Sequence, residues 1–93
     1  MTTVRYRVIV AGRVQGVWFR ESCRQQADAR GVSGWVRNRN DGRVEAVFEG
    51  AESDVAQLVA WCRTGPRAAV VTSVEVTEEP VDPTDRRAGF RVH

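Results

Sequence analysis

Apolar residues recur at every second position in some stretches of this chain and at every third or fourth in others. The order in which the two spacings alternate restricts the fold more than any other feature. Val4, Tyr6, Val8 and Val10 alternate with Arg5, Arg7 and Ile9, the period of a strand with one mainly apolar face that ends at Gly12. From Phe19 to Arg30 the apolar positions Phe19, Cys23 and Ala27 form a narrow helical stripe, and Gly31 stands where a helix C-terminus is capped. Val32 to Arg39, with Trp35 and Val36, is strand-like again. Asn40, Asp41 and Gly42 follow as a hairpin signal, because Asp-Gly tolerates the positive φ angles of a tight turn. Val44, Ala46 and Phe48 then alternate with Arg43, Glu45, Val47 and Glu49 in a third strand closed by Gly50.

A second helix opens at Glu52, Ser53 and Asp54, with a capping residue and acidic first-turn charges suited to the positive end of the helix dipole. Val55, Leu58, Val59 and Cys62 form its apolar stripe, and Gly65 with Pro66 ends it. Val70, Thr72, Val74 and Val76 share one face of a fourth strand that stops before Pro80; residues 80 to 89 read as a charged surface loop, and Phe90 and Val92 as a short terminal strand. The order βαββαβ plus a short last strand buries its apolar faces most simply as an α/β (α+β) two-layer sandwich. Two helices then cover one face of a mainly antiparallel sheet, the ferredoxin-like arrangement. At 93 residues, with no linker or low-complexity stretch, residues 1–93 are expected to form one domain.

Composition removes several chemistries. All 14 basic residues are arginine, so a Schiff-base lysine, a P-loop lysine and a lysine general base are excluded. The one histidine is His93, which speaks against a histidine-centred triad or a multi-histidine metal site. Cys23 and Cys62 lie far apart without a CxxC pattern, and both fall on apolar helix stripes; buried thiols are expected, a disulfide only if the helices lie side by side. Trp35 and Trp61 read as packing aromatics, Arg37 and Arg39 as solvent-facing charges, and Asp82 and Asp85 as loop-solubilising charges. No apolar run is long enough to span a membrane and no leader is evident, so the expected setting is the cytoplasm.

The junction between the first strand and the first helix, Gly12 to Arg20, carries the strongest chemical signal. A glycine-flanked turn running into a helix N-terminus directs backbone amides at a common point, where an oxyanion such as phosphate is the natural guest. Arg20 adds a planar fork of donors. In the expected topology the second strand runs parallel to the first, so its C-terminal end brings Asn38 to the same end of the sheet. A carboxamide there can hold a water beside a bound phosphorus atom, and phosphoryl transfer catalysed by positioning and electrostatics needs no strong protein base.

Gly12 to Arg20, then Gly34-Trp35-Val36-Arg37-Asn38, then Asp41 to Glu45 resemble the acylphosphatase family, and the similarity continues through Gly65 and Pro66 over nearly the whole chain. The resemblance implies hydrolysis of the carboxyl-phosphate bond of small acyl phosphates to carboxylate and inorganic phosphate, without metal or other cofactor. It assigns phosphate binding to the amides of Gln15, Gly16, Val17, Trp18 and Phe19 and to Arg20, and orientation of the attacking water to Asn38. Nothing in the sequence demands more than a monomer, basicity spread along the chain makes no nucleic-acid footprint, and no apolar run points to a membrane. Two rivals share the topology: an RNA-recognition module, which would need aromatic residues where the third strand offers Arg43, Glu45, Val47 and Glu49, and a non-catalytic domain that binds an anion in the same cradle. Trp18 is a bulky choice that bears on access to the site.

Overall fold

The computed structural model describes residues 2–93. Its elements are β1 (Thr3–Arg13), α1 (Phe19–Ala29), β2 (Ser33–Asn38), β3 (Val44–Ala51), α2 (Glu52–Cys62), β4 (Val70–Glu79), α3 (Pro83–Arg86) and β5 (Phe90–Val92). The strands form one five-stranded sheet in the order β4-β1-β3-β2-β5, antiparallel except for the β2–β5 pair. This is the ferredoxin-like α+β sandwich, with α1 over β2 and β5 and α2 over β1 and β3.

Strand register shows why the alternation in sequence works. Val8 lies opposite Ala46 and Ala46 opposite Val36, while Val10 lies opposite Val44 and Val44 opposite Asn38. These rows face the helices, and every apolar member is fully buried. Asn38 therefore ends a core-facing row at the edge of the sheet where β1 runs out. Gly34 makes the β2–β3 pairing possible: its φ is 131°, and a Cβ there would stand 1.8 Å from the Val47 carbonyl oxygen. Across the helix layer the Phe19 and Trp61 rings meet at 5.2 Å between centroids. Cys23 and Cys62 are buried free thiols that adjoin across the α1–α2 contact. Burial, with a smaller contribution from Cys62, raises the Cys23 thiol well above its usual range, which keeps it protonated and unreactive.

Several expectations need correction. Arg37 and Arg39, expected to face solvent, belong to an ion-paired outer face of the sheet on which Glu45 and Glu49 of β3 are buried beneath arginines. Glu49 receives Arg5 at 3.3 Å, Arg86 at 3.1 Å and the Asp82 backbone N–H at 2.6 Å. Glu45 pairs with Arg7 and with Arg37 at 2.7 Å, and Arg39 approaches at 3.7 Å. Arg37 and Arg39 thus do more than face solvent, and the Trp35 ring lies under both Arg7 and Arg37.

Residues 80 to 89 are not all loop. Asp82 caps α3 by accepting the Thr84 N–H at 3.1 Å, and Asp85 joins Arg5 at 3.0 Å and Arg91. At α2 no side chain caps the start; the N-cap is Ala51, and Thr2 accepts the Glu52 N–H instead. On β4 the core-facing phase slips at the irregularity opposite Ala11 and Gly12, so Val71 and Val74 pack against the core while Val70 is exposed and Thr72 is not a core residue.

Two measurements test this ion-paired face. Removing one partner of a buried charge pair leaves the other uncompensated, so Glu49→Ala is expected to lower unfolding free energy by about 3 kcal/mol in urea titrations; a loss near zero would contradict it. Burial opposes ionisation of Asp85, but hydrogen bonds from Arg91 and Arg5 outweigh it and hold the carboxyl below its ordinary range. A depressed folded-state pKa contributes stability above the unfolded value, about 3.9, that is lost as pH falls through the folded one. Below about pH 4 the Asp85→Asn variant is therefore expected to lose stability less steeply than the parent chain.

Candidate active site

Between Arg13 and Phe19 the chain must leave the sheet and enter a helix within a few residues. Val14, Val17 and Phe19 achieve this by burying their side chains, at 1%, 5% and 2% exposure, so that the loop is pinned to the core at three points. Gly16 turns the chain at φ 73°, and no atom lies within 4 Å of the place its Cβ would occupy, leaving open space above the loop. Trp18 follows at φ 67°, the one non-glycine residue with left-handed backbone among those described.

This geometry leaves donors unspent. The loop's one backbone hydrogen bond among the described residues runs from the Ser22 N–H to the Trp18 carbonyl at 3.0 Å, and no side chain caps α1. The amides from Gln15 to Arg20 thus have no backbone acceptor, and those at the head of α1 add the partial positive charge of a helix N-terminus. Gly16, Trp18, Phe19, Arg20 and Asn38 line one cavity of about 430 Å³, with Val14 and Val92 completing an apolar wall. Arg20 and Asn38 both border it from different elements, consistent with the parallel course of β1 and β2.

Three features of the site were not read from sequence. Arg20 Nη1 donates to the His93 carbonyl at 2.9 Å, and the His93 N–H donates to Val36 O at 2.9 Å, so the end of the last strand steadies the guanidinium. Glu21 also borders the cavity, but Arg24 Nε reaches its carboxylate at 3.0 Å. The hydrogen bond from Arg24 lowers the Glu21 carboxyl below its usual range, against the opposing effect of desolvation. Neither Gln15 nor Val17 presents a side chain to the cavity: Val17 is core. The Gln15 carboxamide reaches across to the β2–β3 turn, donating from Nε2 to Arg39 O at 2.8 Å and to Arg43 O at 3.0 Å. Its polarity inside an otherwise apolar loop was the available signal. The clip ties the loop to the turn that begins one residue after Asn38.

Similarity to known proteins agrees with the geometry. Residues 6–92 match the family model described as Acylphosphatase. The chain is 59% identical over 90 residues to an acylphosphatase of Rubrobacter xylanophilus, covering 97% of this chain and 80% of that protein. It is 51% identical over 92 residues to one from Pelotomaculum thermopropionicum, covering 99% and 98%. The crystal structure of acylphosphatase from Bacillus subtilis matches with a TM-score of 0.90 at 40% identity, over 97% of this chain and 98% of that one.

The sandwich and its likenesses define a small hydrolase of phosphoric anhydrides. The chain belongs to the acylphosphatase family, and its activity is that of an acylphosphatase, with a small acyl phosphate as substrate and phosphate as product.

The Gln15 clip has a direct test. Two hydrogen bonds to carbonyls that keep other partners are worth about 1 kcal/mol, and displacements near 1 Å in a site cost up to roughly a hundredfold in rate. Gln15→Ala is expected to lower kcat for acyl phosphate hydrolysis by on the order of tenfold or more with a stability loss of about 1 kcal/mol. An unchanged kcat would show that the clip does not set the site's geometry.

Proposed function

We propose that the phosphoryl group of the acyl phosphate sits on the amides of Gln15 to Phe19 and is held by the Arg20 guanidinium, while the Asn38 carboxamide orients the attacking water. The observation that carries this reading is the convergence of Arg20 and Asn38 on one cavity above amides that lack internal acceptors. The water oxygen attacks phosphorus as the bond from phosphorus to the acyl oxygen breaks. The leaving carboxylate departs with that electron pair, and both protons of the water end on the phosphate. A carboxylate is a weak base, so its departure needs no protein acid, and the charge developing on the phosphoryl oxygens meets donors already in place.

No histidine or lysine side chain is part of this mechanism, and Glu21 is engaged by Arg24. Neutralisation by Arg20 and the amides takes the role a metal ion plays in other phosphoryl transfers, so no cofactor enters the scheme. Residues 1–93 would act as one catalytic domain, as a monomer in the cytoplasm. The rival roles receive less support. Ion pairs occupy the sheet face an RNA module would use for stacking, and a purely anion-binding domain would not need Asn38.

Removing one preorganised donor from a site where charge develops costs on the order of a hundredfold in rate or more. Asn38→Ala is accordingly expected to abolish most turnover of acetyl phosphate while inorganic phosphate still inhibits what remains. Arg20→Gln is expected to weaken phosphate inhibition and hydrolysis together. Substantial turnover in the first variant, or unchanged phosphate inhibition in the second, would contradict the assignment, as would loss of activity on adding a chelator.

A further inference from the structure

Trp18 bears two costs at one position. Its side chain is 80% exposed, the most exposed of the large apolar residues described. Its backbone adopts φ 67° and ψ 23°, a conformation that disfavours any residue with a Cβ by about 1–2 kcal/mol and that glycine would adopt freely. Among the described residues the loop is anchored by Val14, Val17 and Phe19 rather than by the indole, which pairs with no aromatic neighbour; the Trp18 carbonyl that accepts the Ser22 N–H is backbone, which glycine would supply as well. Strain of this kind collects where a ligand is handled.

The indole borders the same cavity as Arg20 and Asn38. That cavity has two characters. Gly16, Arg20, Asn38 and the Arg24-paired Glu21 make its polar side, and Trp18, Phe19, Val14 and Val92, the last 40% exposed, make its apolar side. At about 430 Å³ it has far more room than a phosphoryl group fills.

We infer that Trp18 forms an acyl subsite: with the phosphoryl group on the polar side, the indole offers a flat apolar face to the acyl group and selects aromatic or extended apolar acyl chains over acetyl. This rests on the phosphate placement proposed above. An aryl group stacked on the indole gains dispersion and ring-quadrupole contacts beyond its apolar burial, enough for a preference on the order of tenfold. An acetyl group has no ring to stack and offers only a methyl for apolar contact.

The test compares Trp18→Gly, which suits the backbone conformation, and Trp18→Phe, which keeps an aromatic face, with the parent chain. One readout is the ratio of kcat/KM for benzoyl phosphate to that for acetyl phosphate. The other is the calorimetric affinity ratio of benzoylphosphonate to acetylphosphonate, non-hydrolysable analogues whose binding needs no turnover. Both ratios are expected to fall on the order of tenfold in Trp18→Gly, the kinetic one mainly through KM for benzoyl phosphate, and to be largely restored in Trp18→Phe. Equal losses for both acyl groups, or ratios that do not move, would overturn the subsite. Failure of the phosphate placement is separately visible: Arg20→Gln would then leave phosphate inhibition unchanged, while the phosphonate ratio still decides for or against Trp18.

Discussion

The loop between β1 and α1 holds its shape because Val14, Val17 and Phe19 are drawn into the core. With three of its side chains buried, the loop has little freedom to collapse onto itself and satisfy its own amides. Those amides are consequently spared, and the helix dipole behind them adds to their attraction for an anion. Hydrophobic burial, which has no directional preference of its own, here fixes the direction of polar groups. Loosening of any of the three anchors would let the cradle's donors find partners within the chain.

A second constraint comes from the far side of the sheet. Glu45 and Glu49 lie on β3 between β1 and β2, and the arginines that cover them come from β1, β2, the hairpin turn and the C-terminal segment. This lattice fastens β2 to β1 through β3, and β2 carries Asn38. The Gln15 clip joins the loop to the same turn from the other direction. Arg20 is steadied by the last strand through the His93 carbonyl. The β1–α1 loop and the end of β2 are thus braced against one another by links on both faces of the molecule, the rigidity that the proposed catalysis by positioning would require.

The strands and both long helices were legible in the sequence because each depends on local spacing, period two or period near four, and the glycine-flanked junction before Arg20 was legible as a turn. That Arg20 and Asn38 border one cavity followed from topology, since parallel β1 and β2 bring their ends to one side of the molecule. What the sequence hid depended on contacts between distant segments. Glu45 and Glu49 look like solvated alternates of β3 until arginines from elsewhere cover them. Val71 rather than Thr72 faces the core because β4 carries an extra residue, Thr72, opposite the step from Ala11 to Gly12, which shifts its phase. Asp85 looks like a loop charge until α3 folds it against Arg5 and Arg91. The start of α2 shows a suitable capping residue in sequence, yet the chain begins the helix too early to use it. Backbone strain at Trp18 has no sequence signature at all, because nothing near it demands a bulky residue.

The central physical claim is that unpartnered main-chain amides, one guanidinium and one carboxamide form a single anion site. It is tested most directly by titrating the uniformly ¹⁵N-labelled chain with inorganic phosphate and following amide, guanidinium and carboxamide resonances together. Saturable shifts with one common dissociation constant are expected for the amides of Gln15 to Phe19, the Arg20 Nε and the Asn38 side-chain amide. Shifts confined to the arginine-rich outer face, or loop amides that stay unmoved while Arg20 responds, would contradict it.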